Sequence, residues 1–365
     1  MAKKINRADE LGRQTALALA CAWRSLPPSI SLSDSELAAI KPLLFNSGSA
    51  ALSWWRIKHS DMEMPDEAAQ LRQAYRLNTL MAAASHREIE QALTFLRAGG
   101  LEPLMGKGWT IARLYPKTGL RPYGDVDLYV RPENYSNAAA LLRHPDAPRC
   151  PVDLHRGVAE LDDRSFDQIY IRSQLAPLGS IEVRTLGPED NLRLICLHML
   201  RHGAWRPLWL CDVAVALESR PASFDWDYFL SGDKRRSDWV ACAIGLAHKL
   251  LGARIDDTPL AKRAENLPDW LVRCVLRQWG TVKTPHGWRQ PIATYLWQPK
   301  GMLQAIRARL PNAIEATVGV RGPFNEMPRF PFQVGESFLR TTRFLMQLPE
   351  LRRARLRNLN AQDAQ

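Results

Sequence analysis

Asp125 and Asp127 stand two residues apart in Gly124-Asp125-Val126-Asp127-Leu128-Tyr129-Val130. A glycine turn, Gly106-Lys107-Gly108, precedes them, and Val152-Asp153-Leu154-His155 follows. Strand side chains alternate between faces, so Asp125 and Asp127 share one face while Val126 and Leu128 take the other. A second short strand brings Asp153 into play, with His155 on its face. Three carboxylates converging on one spot repel each other unless a cation lies between them. Oxygen-only clusters suit a hard divalent ion, usually Mg²⁺. A glycine turn beside such an ion suggests bound phosphate. Together these features point to metal-dependent phosphoryl or nucleotidyl transfer.

The flanks set the architecture. Residues 9–26 and 34–57 read as amphipathic helices separated by Pro27-Pro28, with Ser33 or Asp34 as N-cap and Glu36 in the first turn. Apolar residues from Leu71 to Leu96 recur at helical spacing, predicting a helix over 66–98 that Gly99-Gly100 ends. Then the pattern changes. A short strand over 101–105 meets the glycine turn, and a short helix over 109–115 follows. Strands are expected over 125–130, 152–155 and 180–184, with a helix over 133–143. That order gives an α+β fold with a small mixed sheet. From Gly187 onward helices are expected at 190–201, 208–218, 225–231, 237–251, 259–265, 269–278, 300–310 and 334–356. Residues 311–333 carry Pro311, Pro323, Pro328 and Pro331 and are expected to be mostly irregular. The expected division is a helical region over 1–84, a catalytic core over 85–186, a helical region over 187–357 and a disordered tail over 358–365.

Composition narrows the setting. No apolar run approaches the roughly 20 residues that span a bilayer, and acidic residues interrupt any signal-peptide core near the N-terminus. The six cysteines are scattered without a C-x-x-C pair, which fits reduced, mostly buried thiols and a cytoplasmic protein. Net charge is +11, and Lys and Arg outnumber Asp and Glu from Lys300 to Arg357. The excess favours an anionic partner, whether nucleotide, nucleic acid or acidic membrane surface. The basic segments Phe338–Leu345 and Leu351–Arg357 are amphipathic, so an acidic partner for a C-terminal helix is one expectation and an ordinary terminal helix another.

The pattern G-K-G-W-T … R-P-Y-G-D-V-D-L-Y-V … V-D-L-H resembles the polymerase-β-type nucleotidyltransferases. Its nearest likeness is to a bacterial "uncharacterised nucleotidyltransferase" family, with a looser similarity to abortive-infection toxin nucleotidyltransferases. The downstream segment from Pro188 to Ala214 is also similar to that bacterial family. The resemblance implies a nucleotidyltransferase core flanked by helical N- and C-terminal regions. It implies two Mg²⁺ ions held by Asp125 and Asp127, with Asp153 completing one ion's site and serving as general base. Gly106, Lys107 and Gly108 would bind the phosphates of an NTP, and Arg121 adds positive charge nearby. A nucleoside monophosphate would pass to a hydroxyl of an RNA such as tRNA, a small metabolite or a peptide product, releasing pyrophosphate. Lys107 departs from the Gly-Gly or Gly-Ser turn usual in the superfamily. The competing reading is a nucleotide- or RNA-binding protein that keeps this fold without turnover.

Asp153 has rivals for the third position in Glu182 and in Asp162-Asp163. The apolar neighbours Val152 and Leu154 favour Asp153 and predict that it is buried. His155 either touches phosphate or caps its strand. His198 and His202, four apart on one helix face, read as packing groups or substrate contacts. With Asp212 they form a weak metal-ligand pattern that lacks the H-E-x-x-H glutamate of a zinc site. Trp205, Trp209, Trp288 and Trp297 could stack on a base, although packing is the commoner fate of tryptophan.

Overall fold

Capping determines where the first helices begin. In the computed structural model, which describes residues 6–60, 66–283 and 310–362, with side chains as far as Met346, the Asn6 side chain accepts from the Ala8 N–H and opens α1, Arg7–Leu19. Ser33 and Glu36 form a reciprocal capping box at the start of α2, Asp34–Asn46. The single helix expected over 34–57 is broken at Ser47-Gly48-Ser49, where Gly48 turns left-handed at φ +72°. Ala50–Lys58 then forms α3. The long helix α4 spans Asp66–Ala98, matching its apolar spacing, and Gly100 at φ +76° turns the chain out of it. It runs unbroken through residue 84, where a regional boundary was expected.

The sheet comes next. β1, Leu104–Met105, leads through the glycine turn into α5, Gly108–Ala112. β2 is Val126–Val130, α6 is Tyr135–Leu141, and β3 is Val152–Arg156. After α7, Phe166–Ile171, come β4, Gln174–Leu178, and β5, Ile181–Thr185. The strand order is β3-β2-β1-β5-β4. β1/β2 and β4/β5 are antiparallel, whereas β2/β3 and β1/β5 are parallel, so the sheet is mixed as expected. β4 was not anticipated. It carries Pro177 and lies at the sheet's edge, where a missing N–H costs no ladder bond. β3 forms the opposite edge. For that reason Asp153, expected to be buried, has a side chain that is 54% exposed.

The remaining helices are α8 (Pro188–Arg201), α9 (Pro207–Glu218), α10 (Trp226–Leu230), α11 (Lys234–Leu251), α12 (Ala261–Glu265), α13 (Asp269–Trp279), α14 (Ala313–Gly319) and α15 (Phe330–Gln362). α14 lies in the stretch expected to be irregular; Asn312 caps it by accepting from the Glu315 N–H. α15 runs to Gln362, into the expected tail, since no Pro or Gly interrupts 351–362. The expected helix 300–310, together with Trp288 and Trp297, falls outside the described residues, as do the side chains of the basic segment 351–357. One apolar cluster runs from Ala16 through Leu52, Leu104, Leu200 and Leu246 to Ile314, joining N- and C-terminal helices in a shared core. α1 crosses α13 closely enough that a Cβ on Gly12 would stand 1.9 Å from the Leu276 carbonyl oxygen. All six cysteines are free. Among the described residues no helix is long and apolar enough to cross a membrane.

Candidate active site

Register builds the centre of the site. β2 and β3 run parallel with Asp127 opposite Asp153 and Tyr129 opposite His155. Asp127, on the inner strand, is buried; Asp153, on the edge strand, is open to solvent. His155 stacks on Tyr129, with ring centroids 4.7 Å apart and planes at 16°. That contact aims His155 Nε2 between the carboxylates, 3.0 Å from Asp127 Oδ1 and 3.3 Å from Asp153 Oδ2. One ligand atom from each of Asp127, Asp153 and His155 lies within 4.8 Å of the others, the spacing of a metal site. Two carboxylates from neighbouring strands with one imidazole form a hard donor set with a borderline member, which fits Mg²⁺ or Mn²⁺. Asp125 precedes β2, is exposed, and faces the same cleft without joining that group.

The glycine turn lies against the same strand. A Cβ on Gly106 would come within 2.8 Å of the Tyr129 ring, and one on Gly108 within 3.3 Å of the Asp125 carbonyl oxygen. The turn therefore needs glycine to approach β2. Lys107 between them holds φ +47°, a region unfavourable to a residue with a side chain. Its ammonium donates to Asp127 Oδ1 at 2.8 Å and stands 5.6 Å from the centre of the Tyr129 ring. Lys107 was expected to serve phosphate directly; here its first partner is the buried carboxylate. Burial pushes the Asp127 carboxyl up, but the His155 hydrogen bond and the Lys107 charge outweigh it and hold the group below its ordinary value.

A cleft of about 590 Å³ opens over these groups. It collects Lys107, Gly108, Arg121, Asp125, Asp127, Asp153, His198 and His202 on one wall system, so residues from four separate stretches of sequence converge. Arg121 is less available than its sequence position suggested. Its guanidinium grips Asp212, with Nη2 to Oδ2 at 2.9 Å, and Tyr115 Oη donates to Asp212 Oδ1 at 2.9 Å. Asp212 thus anchors the 116–124 loop to α9 rather than completing a metal set with the histidines. His198 and His202 pack ring to ring at 4.5 Å and against Trp209, which meets Trp205 in turn. His198 Nδ1 stands 3.8 Å from Glu160 Oε1. Burial, then the charges of His198 and Arg201, push His202 down and keep it neutral at pH 7. The rivals for the third acid go elsewhere. Asp163 bonds Arg193 at 2.8 Å and Asp162 pairs with Arg236, while Glu182 is exposed.

Sequence reasoning missed two charged groups. Arg206 lines the cleft, donates to the Ser47 carbonyl at 2.7 Å and lies over Trp209. The signal was present: Pro207 at the first turn of α9 marks Arg206 as a helix-entry residue. Glu160, on a single 3₁₀ turn after β3, sits behind His198 and had no local signature. Burial raises its carboxyl, but His198, 3.8 Å away, and the charge of Lys107 prevail and bring it down to about 2.

The sequence profile described as "Uncharacterised nucleotidyltransferase" matches residues 47–147 and 144–252, and the chain belongs to that family. The match spans the sheet, the cleft and helices α3 to α11. Neither curated proteins nor solved structures gave a match. Family and geometry together establish a nucleotidyltransferase-type active site with a candidate metal-binding group at Asp127, Asp153 and His155.

Proposed function

We propose that the cleft binds an NTP with Mg²⁺ and transfers a nucleoside monophosphate to a hydroxyl acceptor. The observation that carries this reading is the meeting of Asp127, Asp153 and His155 on adjacent parallel strands, beside Lys107, in a family member. When bound, the ion neutralises triphosphate charge and polarises the α-phosphate. The acceptor oxygen attacks the α-phosphorus, the bond from that phosphorus to the α–β bridging oxygen breaks, and pyrophosphate leaves with the electron pair. Asp153, half-exposed and with its Oδ2 3.3 Å from His155 Nε2, is placed to take the acceptor's proton. Asp127 is held ionised by Lys107 and His155. Asp125 and Asp127 would serve a second ion. The turn Gly106-Lys107-Gly108 and Arg206 supply the positive edge for phosphates.

The test uses the full chain with Mg²⁺, each α-labelled NTP, and a mixture of total RNA and small metabolites. Pyrophosphate and a labelled acceptor should form, and Asp127→Asn should remove both. If no NTP yields either product, transfer is rejected. A nucleotide-binding protein without turnover is the second reading, and the Lys107–Asp127 pair favours it because an internal cation already neutralises the central acid. NTP binding without pyrophosphate would select it.

A further inference from the structure

A second cavity, of about 440 Å³, opens beside the first among α8, α11, α14 and α15. The two adjoin: His202 lines both, and Glu160 on the second wall faces His198 on the first. Its lining is rich in arginine, and those arginines are not equivalent. Arg236 is paired with Asp162 and with Asp163, the latter at 3.1 Å. Arg340 bonds Glu315 at 2.7 Å and Glu336 at 2.8 Å, and Arg321 pairs with Asp233. These three form a fixed frame. The other two are loosely held. Arg201 on α8 stands 3.5 Å from Glu160, and Arg343 on α15 stands 3.8 Å from Glu336. A charge-assisted N–H···O bond runs about 2.7–2.9 Å, so both guanidinium groups retain donors for another anion. Their side chains are 60% and 59% exposed.

Glu336 supplies the complementary signal. It is 3% exposed, and its Oε1 accepts from Arg340. Its side chain lines the cavity, and its buried Oε2 has no hydrogen-bond partner among the described residues. Gly319 makes room for it, because a Cβ there would stand 2.1 Å from that oxygen. An ionised carboxylate oxygen only accepts, so what satisfies it must be a donor. Trp239, also on the wall, has its indole N–H bonded to the Gly322 carbonyl at 2.9 Å and is buried, so it offers no stacking face.

We propose that this second cavity holds the acceptor through a hydroxyl-bearing phosphate ester, a ribose phosphate. Arg201 and Arg343 take the phosphate oxygens, whose geometry matches guanidinium forks. Glu336 Oε2 accepts from a sugar hydroxyl. The volume suits a group of this size, and the lack of a free aromatic face among the described lining residues makes recognition fall on sugar and phosphate. The assignment rests on the transfer reading, which requires an acceptor beside the nucleotide cleft. The ribose phosphate could belong to an RNA end or to a free metabolite.

Binding is measured on the full chain without NTP or divalent ion, so catalysis plays no part. The probes are a fluorescein-labelled oligoribonucleotide with a free 3′ end, ribose 5-phosphate, and inorganic phosphate. At least one ribose-bearing probe should bind. Arg201→Ala with Arg343→Ala should weaken it tenfold or more, and Arg76→Ala, an exposed α4 residue, should leave it unchanged. Glu336→Gln should weaken the ribose-bearing probe and spare inorganic phosphate. Binding of the oligoribonucleotide alone identifies an RNA end, and of ribose 5-phosphate alone a metabolite; either upholds the proposal. No binding of either, or a double variant that binds like wild type, overturns it. If the double variant melts early, the two single variants decide by the same criterion. Mg²⁺–NTP binding is titrated separately. Its absence, with ribose phosphate still bound through Arg201 and Arg343, rejects the transfer reading while leaving the cavity's ligand assigned.

Discussion

Lys107 lays its ammonium on Asp127 Oδ1 at 2.8 Å, with both side chains nearly buried at 11% and 7% exposure. The contact depends on an unfavourable backbone, since Lys107 sits at φ +47° between two glycines. It makes the ammonium a built-in competitor for the carboxylate that anchors the metal-ligand group. Like charges close together in a poorly solvated site repel strongly.

Lys107→Met should therefore raise the affinity for Mn²⁺ in the absence of nucleotide, by roughly tenfold, equivalent to about 1.4 kcal/mol. The same variant should lose NTP-dependent pyrophosphate release, because the positive edge facing the phosphates is gone. Calorimetric titration with Mn²⁺ reads the first effect independently of turnover. Equal or weaker Mn²⁺ binding would show that the ammonium does not contest the ion's place.

Arg121 and Asp212 make a second prediction, about stability. Both are buried, at 8% and 2% exposure, and Tyr115 adds a further hydrogen bond to the acid. Removing one partner of a buried pair leaves an uncompensated charge, which costs about 3–5 kcal/mol. Asp212→Asn should lower the unfolding free energy obtained from urea titration by that amount. Arg121→Met combined with Asp212→Leu should recover most of it. A single-variant loss below about 1 kcal/mol would mean that solvent reaches the pair.

Local signals were legible in the sequence, whereas signals of pairing were not. The α4 periodicity, the helix start at Ser33 or Asp34 and the acid alternation around Val126 each lie within a few residues and could be read locally. Asp127 and Asp153 came together because each is marked by its own apolar neighbours. Strand order is non-local, so the exposed edge position of β3 could not be read, and Asp153 was placed too deep. β4 escaped because Pro177 interrupts its pattern and only pairing with β5 defines it. The partners of Lys107 and Arg121 were hidden for a further reason. Long cationic side chains choose among several acids, and only packing shows which carboxylate lies within reach.

Helix crossing gives a third prediction. Gly12 on α1 faces the Leu276 backbone of α13, and a Cβ would meet its carbonyl oxygen at 1.9 Å. Backbone cannot retreat as a flexible side-chain tip does, so Gly12→Ala must push the helices apart. Overpacking of this kind costs about 1–3 kcal/mol, more than the alanine's helix propensity returns. Thermal melting should show the loss, and an unchanged or higher midpoint would reject this close crossing. The metal-ligand group is remote in sequence from α1, so Mn²⁺ affinity at 20 °C should stay as in wild type.

Glu160 gives the last prediction, on pH. Its folded carboxyl lies at about 2, against an ordinary 4.5, because His198 and the Lys107 charge outweigh the effect of burial. The sign follows from linkage: a depressed carboxyl stabilises the fold above its unfolded value and loses that contribution as pH falls through the folded value. Stability from this residue is therefore full above pH 4.5 and drains away between about 4.5 and 2. The depression corresponds to ~3 kcal/mol at 1.36 kcal/mol per pH unit. Asp127, depressed by His155 and Lys107, adds loss in the same direction. Urea unfolding of wild type should weaken steeply across that window. Glu160→Gln, with nothing to protonate, should be less stable than wild type at pH 6 and should converge with it near pH 2.5. Parallel curves for the two proteins from pH 6 to 2.5 would show that the Glu160 carboxyl is not held down by His198.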